Sequence, residues 1–243
     1  MRFVLSVLVL FIFLMLIFSF VFLFKIEKGL NRWLGLMSVG SFAWALYSIF
    51  YVAKLDRFQS APQKIFYIHV PSAWISFFAF FLVFIFSVKY LFSGRTKDDL
   101  LANSFAEVGV FFNTLVLITG PIWARPIWGV WWTWDARLTT SLILWLLYVG
   151  YLMLRSYVDE FERRARLSAI LGIFAFLNVP IVHYSVLWWR TLHPAPVVIR
   201  SGGMADLPIS MHIALWSSCL SVLLLFIFLV RKRFNIGELL NKF

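Results

Sequence analysis

Long uncharged stretches alternate with short charged loops along the whole chain. Each stretch reaches or approaches the roughly 17 to 25 residues that a membrane-spanning helix needs. A membrane β-barrel would instead repeat segments of about ten residues in which apolar and polar positions alternate, and the sequence lacks that pattern. We therefore predict an all-α, polytopic membrane protein with seven spans, at residues 3–24, 33–53, 65–88, 108–124, 138–154, 167–189 and 207–230.

The first of these stretches raises the question of a cleaved signal peptide. Signal peptides carry positive charges before the apolar core and small residues after it. Here Lys25, Lys28 and Arg32 follow the core, and no small-residue cleavage site is evident. We predict a retained helix with its N-terminus on the outer side. Residues 1–32 then form an extra N-terminal helix with a basic loop, and residues 33–243 form a single membrane domain with six core spans.

The distribution of Lys and Arg predicts which loops face the cytoplasm, because short positively charged loops stay on that side. One set of alternate loops holds 14 of these residues and the other set holds 8. The first set is placed inside, so the outer loops, in a bacterium, face the periplasm. The formal net charge of +11 needs no nucleic-acid partner, because topology and anionic lipid account for the basic residues.

Composition and motifs narrow the possible functions. Hydrophobic residues make up 62% of the chain and the loops are short, which leaves no room for a separate soluble domain. No Walker-type glycine loop, G-x-S-x-G or H-E-x-x-H motif occurs, so nucleotide hydrolysis, esterase and metalloprotease functions have no support. Cys219 is the only cysteine, so neither an internal disulfide nor a C-x-x-C pair can form.

Five of the twelve tryptophans lie within residues 123–137, which read W-A-R-P-I-W-G-V-W-W-T-W-D-A-R. If the stretch after residue 126 is helical, four side chains form one stripe, an aromatic surface that ends in a carboxylate. These are Trp128, Trp131, Trp132 and Asp135. Trp123 lies outside the stripe, and we expect it to matter less. The alternative is an interfacial aromatic belt, with Asp135 as the N-cap of a helix that starts near residue 136.

All four histidines map to the outer half of the predicted bundle: His69, His183, His193 and His212. His69 and His183 lie near the outer ends of the third and sixth spans, so we expect them at similar depth and on the same side as the tryptophans. Hydrogen bonding or packing is the alternative role for a single histidine in a span, although ionisable groups there are functional hypotheses by default. His193 is typical of a loop residue and His212 of a packed helix residue.

Haem is the ligand that fits two neutral imidazoles, a flat aromatic surface and nearby cations. Iron takes axial histidine ligands, the macrocycle packs on tryptophan, and the propionates bind Arg or Lys. A zinc site would more usually require three or four His, Cys or carboxylate ligands. The candidate propionate partners are Lys64, Arg125 and Arg137, whose alternative role is to snorkel to lipid head groups.

Three motifs carry a resemblance to a known family. The string W-G-V-W-W-T-W-D-A-R-L-T, which also contains Trp134, resembles the tryptophan-rich WWD signature of the haem-handling proteins of cytochrome c biogenesis. The strings Y-I-H-V-P-S-A-W around His69 and N-V-P-I-V-H-Y-S-V-L-W-W-R-T-L-H around His183 are similar to one family among them, haem exporter protein C (CcmC) of the cytochrome c maturation system. The similarity runs from about residue 33 to the last span, and the three motifs together are highly specific.

The resemblance implies a haem-delivery component rather than an enzyme. It implies that haem b binds at the periplasmic face of the bacterial inner membrane, through a WWD segment at about residues 121–137 and through His69 and His183 as axial ligands of the iron. Members present haem to a membrane-anchored periplasmic haem chaperone. They work with a small single-span subunit and an ABC-type ATPase and permease pair. Members commonly have six spans, so residues 3–24 look like an addition, and at Lys64 an arginine would be unsurprising.

Three other functions compete with this one. A haem-attachment synthase would hold haem for direct ligation to an apocytochrome, but such synthases generally carry extra spans or a large outer domain. A haem b electron-transfer subunit would have paired histidines deep in both leaflets, whereas here they cluster on one side. A transporter of an organic cation held by tryptophan would need acidic residues in the spans, and the seven predicted spans contain none.

The predicted orientation can be tested with reporter fusions. A reporter fused after Arg95 or Arg163 should be active in the cytoplasm, and one fused near Gly202 should be active in the periplasm, because the first two positions lie in the loops rich in Lys and Arg. The reversed pattern would contradict both the orientation and the outer position of the site. A cytoplasmic Met1 would correct only residues 3–24, which would then be an interfacial or re-entrant segment.

Overall fold

The computed structural model describes residues 29–193, 199–200, 203–204 and 207–240, which are almost entirely helical. The α-helices are α1 (Leu30–Tyr47), α2 (Phe66–Ser93), α3 (Thr96–Trp128), α4 (Ala136–Tyr157), α5 (Phe161–Phe176), α6 (Asn178–Trp188) and α7 (Ile209–Leu240). A π-helical turn (Ser48–Val52) follows α1, and a 3-10 turn (Ala61–Ile65) precedes α2. Two short strands, β1 (Ile199–Arg200) and β2 (Gly203–Met204), pair antiparallel with Ile199 opposite Met204. The predicted all-α class is confirmed.

Six helical segments among the described residues are long and apolar enough to cross a membrane: Leu30–Val52, Ala61–Ser93, Thr96–Trp128, Ala136–Tyr157, Phe161–Trp188 and Ile209–Leu240. They coincide with the six predicted core spans, so the chain is a multi-pass membrane protein. The predicted first span, residues 3–24, lies outside the described residues. The division into residues 1–32 and 33–243 stays a prediction.

The described residues form two compact units. The first comprises residues 29–72, 118–131 and 207–232, and the second comprises residues 73–117, 132–193 with the two strands, and 233–240. Within the second unit, α4 packs against both α5 and α6, and α5 packs against α6. His69 belongs to the first unit and His183 to the second.

Helices α3 and α7 extend beyond the predicted spans, mainly at the ends that are predicted to face the cytoplasm. At 1.5 Å per residue, their 33 and 32 residues measure about 50 Å, against about 30 Å for the apolar core of a bilayer. The part of α3 that precedes the predicted span, residues 96–107, carries Asp98, Asp99 and Glu107. The predicted span itself, residues 108–124, contains no acidic residue. The helix is longer than that span, because its first three turns, which carry the acidic residues, continue directly into the apolar part.

Each of these carboxylates forms an ion pair within the second unit: Asp98 with Lys89, Asp99 with Arg155 and Glu107 with Arg233. The pair of Asp99 and Arg155 is bidentate, with distances of 2.6 and 2.8 Å, and both side chains are nearly buried. Two parallel N–H donors to one carboxylate are the strongest form of this interaction. The N-terminus of α3 also favours acidic residues in its first turn, because the helix dipole is positive there.

Glycines allow the helices of the second unit to approach closely. Phe80 of α2 and Tyr148 of α4 stack with ring centroids 3.7 Å apart and planes within 7°. A β-carbon at Gly109 of α3 would lie 2.7 Å from Phe80 Cε1, so only glycine fits beneath this stack. The Tyr148 hydroxyl donates to the Gly172 carbonyl of α5 at 3.3 Å. Such contacts matter in lipid, where helix association relies on close packing rather than on the hydrophobic effect.

The predicted span at residues 167–189 consists of two helices, because the regular helix is interrupted at Leu177, between Phe176 and Asn178. Pro180 has no backbone N–H, so the Phe176 carbonyl lacks its partner in the next turn. The Asn178 side-chain amide donates to the Thr140 carbonyl of α4 at 2.8 Å, so the residue that follows the interruption is bonded to the neighbouring helix. The interruption lies shortly before His183.

Replacing Gly109 by Ala should destabilise the protein, although alanine normally stabilises a helix interior by about 0.5–1 kcal/mol relative to glycine. The added methyl group would press on Phe80, whose ring Tyr148 holds in place. We expect a loss of about 1–3 kcal/mol, measured as a lower midpoint of thermal unfolding in detergent micelles. Gly150→Ala is the matched control, because a β-carbon there has no such neighbour within 4 Å. Equal stability of the two variants would contradict the close approach of α3 to Phe80.

Candidate functional site

His69 lies in the first turn of α2, and α3 holds its side chain. The distance between His69 Nδ1 and Thr119 Oγ1 is 2.9 Å. The ring lies near Gly120 of α3, because a β-carbon built there would be at an ordinary van der Waals distance, 3.5 Å, from His69 Cε1. The imidazole is half-buried. The hydroxyl group from the neighbouring helix therefore orients the ring.

Trp123 packs against His69, although the predicted stripe left it out. The two ring centroids are 5.7 Å apart, with an angle of 70° between the planes. Phe66 makes a second edge-to-face contact with Trp123 at 6.1 Å, and the indole N–H donates to Gln59 Oε1 at 3.0 Å. Thr119 and Trp123 are one turn apart on α3, a spacing that places both on one face. Sequence analysis missed their role because only the fold brings this face to His69.

Two of the three candidate propionate partners belong to the first unit. Lys64 Nζ donates to the Phe50 carbonyl at 3.3 Å and lies 4.7 Å from the centre of the Phe50 ring. This ammonium group therefore stabilises the π-helical turn Ser48–Val52, which follows α1. Arg125 is exposed in the last turn of α3, where a cation is favourable because the C-terminal end of the helix dipole is negative.

The predicted helical stripe of tryptophans is wrong. Helix α3 ends at Trp128, and Gly129 adopts the left-handed conformation, with φ of 77°. The Gly129 N–H donates to the Arg125 carbonyl at 3.0 Å, which closes the helix in a way that suits glycine best. Residues 129–135, here called the WWD loop, are not helical. The predicted stripe therefore does not exist as one helix face, because only the first of its four residues is helical: Trp128, Trp131, Trp132 and Asp135.

The WWD loop exposes its tryptophans unequally. Trp131 is 52% exposed and Trp134 is 75% exposed, whereas Trp132 is half-buried. Trp132 and Trp134 meet edge to face, with ring centroids 5.7 Å apart. The indole N–H of Trp132 is buried and has no hydrogen-bond partner among the residues that the structure describes. Buried donors are nearly always paired, so this one suits an acceptor that a ligand would supply.

Asp135 is the N-cap of α4, as the alternative interpretation proposed. Its Oδ1 accepts from the Leu138 backbone N–H at 3.0 Å, and its Oδ2 accepts from the Thr133 hydroxyl at 3.1 Å. Helix α4 begins at Ala136, where the sequence predicted it. The carboxylate therefore closes the WWD loop and starts the next helix.

Arg137, the third candidate propionate partner, holds the backbone at His183. Its Nη1 donates to the carbonyls of Val182 at 2.5 Å and of His183 at 3.3 Å. The His183 side chain is exposed and meets Tyr184 edge to face at 5.1 Å. The structure thus gives Arg137 a role that the sequence did not predict, which is to fix helix α6 at the position of the histidine.

Further aromatic residues follow His183 along α6. Tyr184 and Trp188 stack with ring centroids 5.4 Å apart, and Trp188 meets Trp189 edge to face at 5.8 Å. All three are exposed. The string V-L-W-W after His183 was a visible signal for this group, although sequence analysis assigned it no role.

Comparisons with known proteins agree with the motifs. A family model described as "Heme exporter protein C" matches residues 6–241. The chain belongs to the haem exporter protein C family. The match contains every candidate site residue named above. It begins inside residues 3–24, the segment that the motif resemblance alone treated as an addition.

Relatives of the haem exporter protein C family span bacteria and a plant. The haem exporter protein C of Bradyrhizobium diazoefficiens is 41% identical over 195 residues, which cover 80% of this chain and 73% of the relative. That of Escherichia coli K12 is 36% identical over 161 residues, 66% of each chain. A ccmC-like mitochondrial protein of Arabidopsis thaliana, named for cytochrome c biosynthesis, is 36% identical over 190 residues, 77% of this chain and 68% of the relative.

The cap at Asp135 gives a prediction about stability. Asp135→Ala should cost about 0.5–2 kcal/mol, because the Leu138 N–H loses its acceptor. Asp135→Asn should cost little, because asparagine caps helices as well as aspartate does and the Thr133 hydroxyl can reverse its hydrogen bond. Thermal unfolding of the purified protein measures both. An equally large loss for the two variants would mean that the negative charge, rather than the cap, stabilises this region.

Proposed function

We propose that this chain binds haem b at the periplasmic face of the bacterial inner membrane and presents it to a periplasmic haem chaperone during the biogenesis of c-type cytochromes. The names of its relatives refer to haem export and to cytochrome c biosynthesis. Haem is the cargo in this proposal, and the chain forms no covalent bond with it. The chain is accordingly a delivery component and not an enzyme.

The environment of His69 is the observation that carries the proposal. An ionisable side chain within a membrane helix is costly, and its usual justification is a function. The Thr119 hydroxyl forms a hydrogen bond with Nδ1 of this histidine, and Trp123 meets its ring edge to face. The distribution of Lys and Arg predicts that this end of the helix faces outside. With Nδ1 bonded to Thr119, the nitrogen that binds the iron is Nε2.

His183 is the second proposed axial ligand. Its side chain is exposed near the outer end of α6, and Arg137 holds the backbone that carries it. Two neutral imidazoles are a common ligand set for haem iron.

The tryptophans supply surfaces that suit the macrocycle. Trp131 and Trp134 are exposed and can pack against a flat aromatic ligand. The buried indole N–H of Trp132 suits a propionate carboxylate, as do the guanidinium groups of Arg125 and Arg137. Arg137 can serve both the helix and a propionate, because a guanidinium group has five N–H donors.

Lys64 is a weaker candidate for a propionate, since its ammonium group already bonds to the Phe50 carbonyl. An interfacial belt explains exposed tryptophans equally well. It does not explain a buried indole donor that lacks a partner among the described residues, and this donor favours a ligand site.

We further propose that the chain works in an assembly with a small single-span subunit and an ABC-type ATPase and permease pair. The sequence contains no Walker motif, so a step that consumes ATP needs another chain. Release of the loaded chaperone is the step that we assign to the ATPase.

Absorption spectroscopy of the purified protein tests the proposed ligands. His69→Ala and His183→Ala should each abolish or grossly shift the Soret band, because each removes an axial ligand. His212→Ala is the matched control: it removes a histidine from α7 and should leave the spectrum intact. Acid-acetone should extract all the haem, because the only cysteine, Cys219, provides no C-x-x-C motif for thioether attachment.

Two results would contradict the proposal. Full haem content and a wild-type spectrum in the His69→Ala, His183→Ala double variant would exclude the histidine pair. Haem that stays on the polypeptide after extraction would exclude non-covalent haem b.

A further inference from the structure

We propose that Thr119 is a positioning residue for haem binding. Its hydroxyl holds the His69 imidazole in the orientation and tautomer in which Nε2 faces the iron. This inference rests on the proposed function, because it assumes that His69 binds haem. It assigns a role to a residue on a different helix, which sequence motifs did not single out.

The geometry supports a directed hydrogen bond. Thr119 Oγ1 lies 2.9 Å from His69 Nδ1, a normal hydrogen-bond distance. The two ring nitrogens of histidine are distinct, and the bond made by one decides which nitrogen coordinates a metal. When Nδ1–H donates to the threonine oxygen, Nε2 keeps its lone pair for the iron. Histidine ligands of metals almost always donate their second ring N–H to such a partner.

The surroundings of His69 restrict the ring further. Trp123 meets the imidazole edge to face, and the Trp123 indole N–H donates to Gln59. Rotation of the ring about its bond to Cβ would break the hydrogen bond to Thr119 and change the contact with Trp123. The orientation is therefore set before any ligand binds, and preorganisation of this kind increases affinity.

Thr114 of the same helix provides a matched comparison. Its hydroxyl donates to the Val110 carbonyl and accepts from the Trp145 indole N–H, both at 2.8 Å. Thr114 and Thr119 thus each link α3 to a ring on another helix through a hydroxyl group. Only the ring bonded to Thr119 is a proposed iron ligand. Loss of the Thr114 hydroxyl therefore has the same general cost to packing without the specific effect on haem.

The proposal predicts two measurable changes in Thr119→Val, which keeps the shape of the side chain and removes the hydroxyl. Haemin binding should weaken about 10- to 100-fold, the usual effect of removing such a partner of a metal ligand. The reduction potential of the bound haem should rise, because a histidine without this hydrogen bond is a less basic ligand and stabilises ferric iron less. Thr119→Ser, which restores the hydroxyl, should restore both values.

The experiment uses the purified full-length chain in detergent, titrated with haemin and then measured by spectroelectrochemistry. The variants are Thr119→Val, Thr119→Ser, Thr114→Val and His69→Ala, with Thr119→Ala as the substitute if Thr119→Val does not fold. Thr114→Val should keep the wild-type affinity and potential. An unchanged affinity and potential in Thr119→Val would overturn the role of Thr119, and equal changes in Thr114→Val would do so too.

His69→Ala separates this inference from the proposed function. If its haem spectrum and affinity match those of the wild type, His69 is not a ligand and the proposed function fails. If His69→Ala loses haem while Thr119→Val behaves as the wild type, the proposed function stands and only the role of Thr119 is overturned.

Discussion

The lipid bilayer offers no hydrogen-bond partner to the backbone, and this constraint decides where the chain can depart from helical structure. On the predicted topology, all eight prolines of the sequence lie in the outer half of the bundle. Pro71 removes a backbone hydrogen bond of α2 just after His69, and Gly129 follows the last residue of α3. Pro180 lies in the first turn of the helix that carries His183. The candidate site residues thus lie next to the parts of the chain where the helices end or are interrupted.

The opposite end of the bundle is built differently. In the second unit, ion pairs join the predicted cytoplasmic ends of the helices, and the bidentate pair of Asp99 and Arg155 is nearly buried. Removing one partner of such a buried pair typically costs about 3–5 kcal/mol, because the other charge stays behind unpaired. The predicted outer side instead carries the exposed side chains of Trp131, Trp134 and His183. This asymmetry suits a protein that binds a ligand on one face.

Sequence patterns predicted the features that depend only on residues close together in the sequence. Apolar length located the six core spans, and the N-cap at Asp135 followed from its place before a helix. Periodicity failed after Trp128, because the left-handed conformation of Gly129 ends the helix whatever the spacing of the tryptophans. The predicted span also missed the first turns of α3, because Asp98, Asp99 and Glu107 interrupt the apolar run there. The contacts of Thr119 and Trp123 with His69 were beyond reach, because they depend on how two helices pack.

The central claim is that His69 and His183 together bind one haem iron. Electron-nuclear double resonance of the ferric protein, with its histidines labelled with ¹⁵N, counts the imidazole nitrogens bound to that iron. We predict two histidine nitrogens in the wild-type protein and one in a variant that lacks either His69 or His183 and still holds haem. A single histidine nitrogen in the wild type, or two that persist when either histidine is replaced, would contradict it.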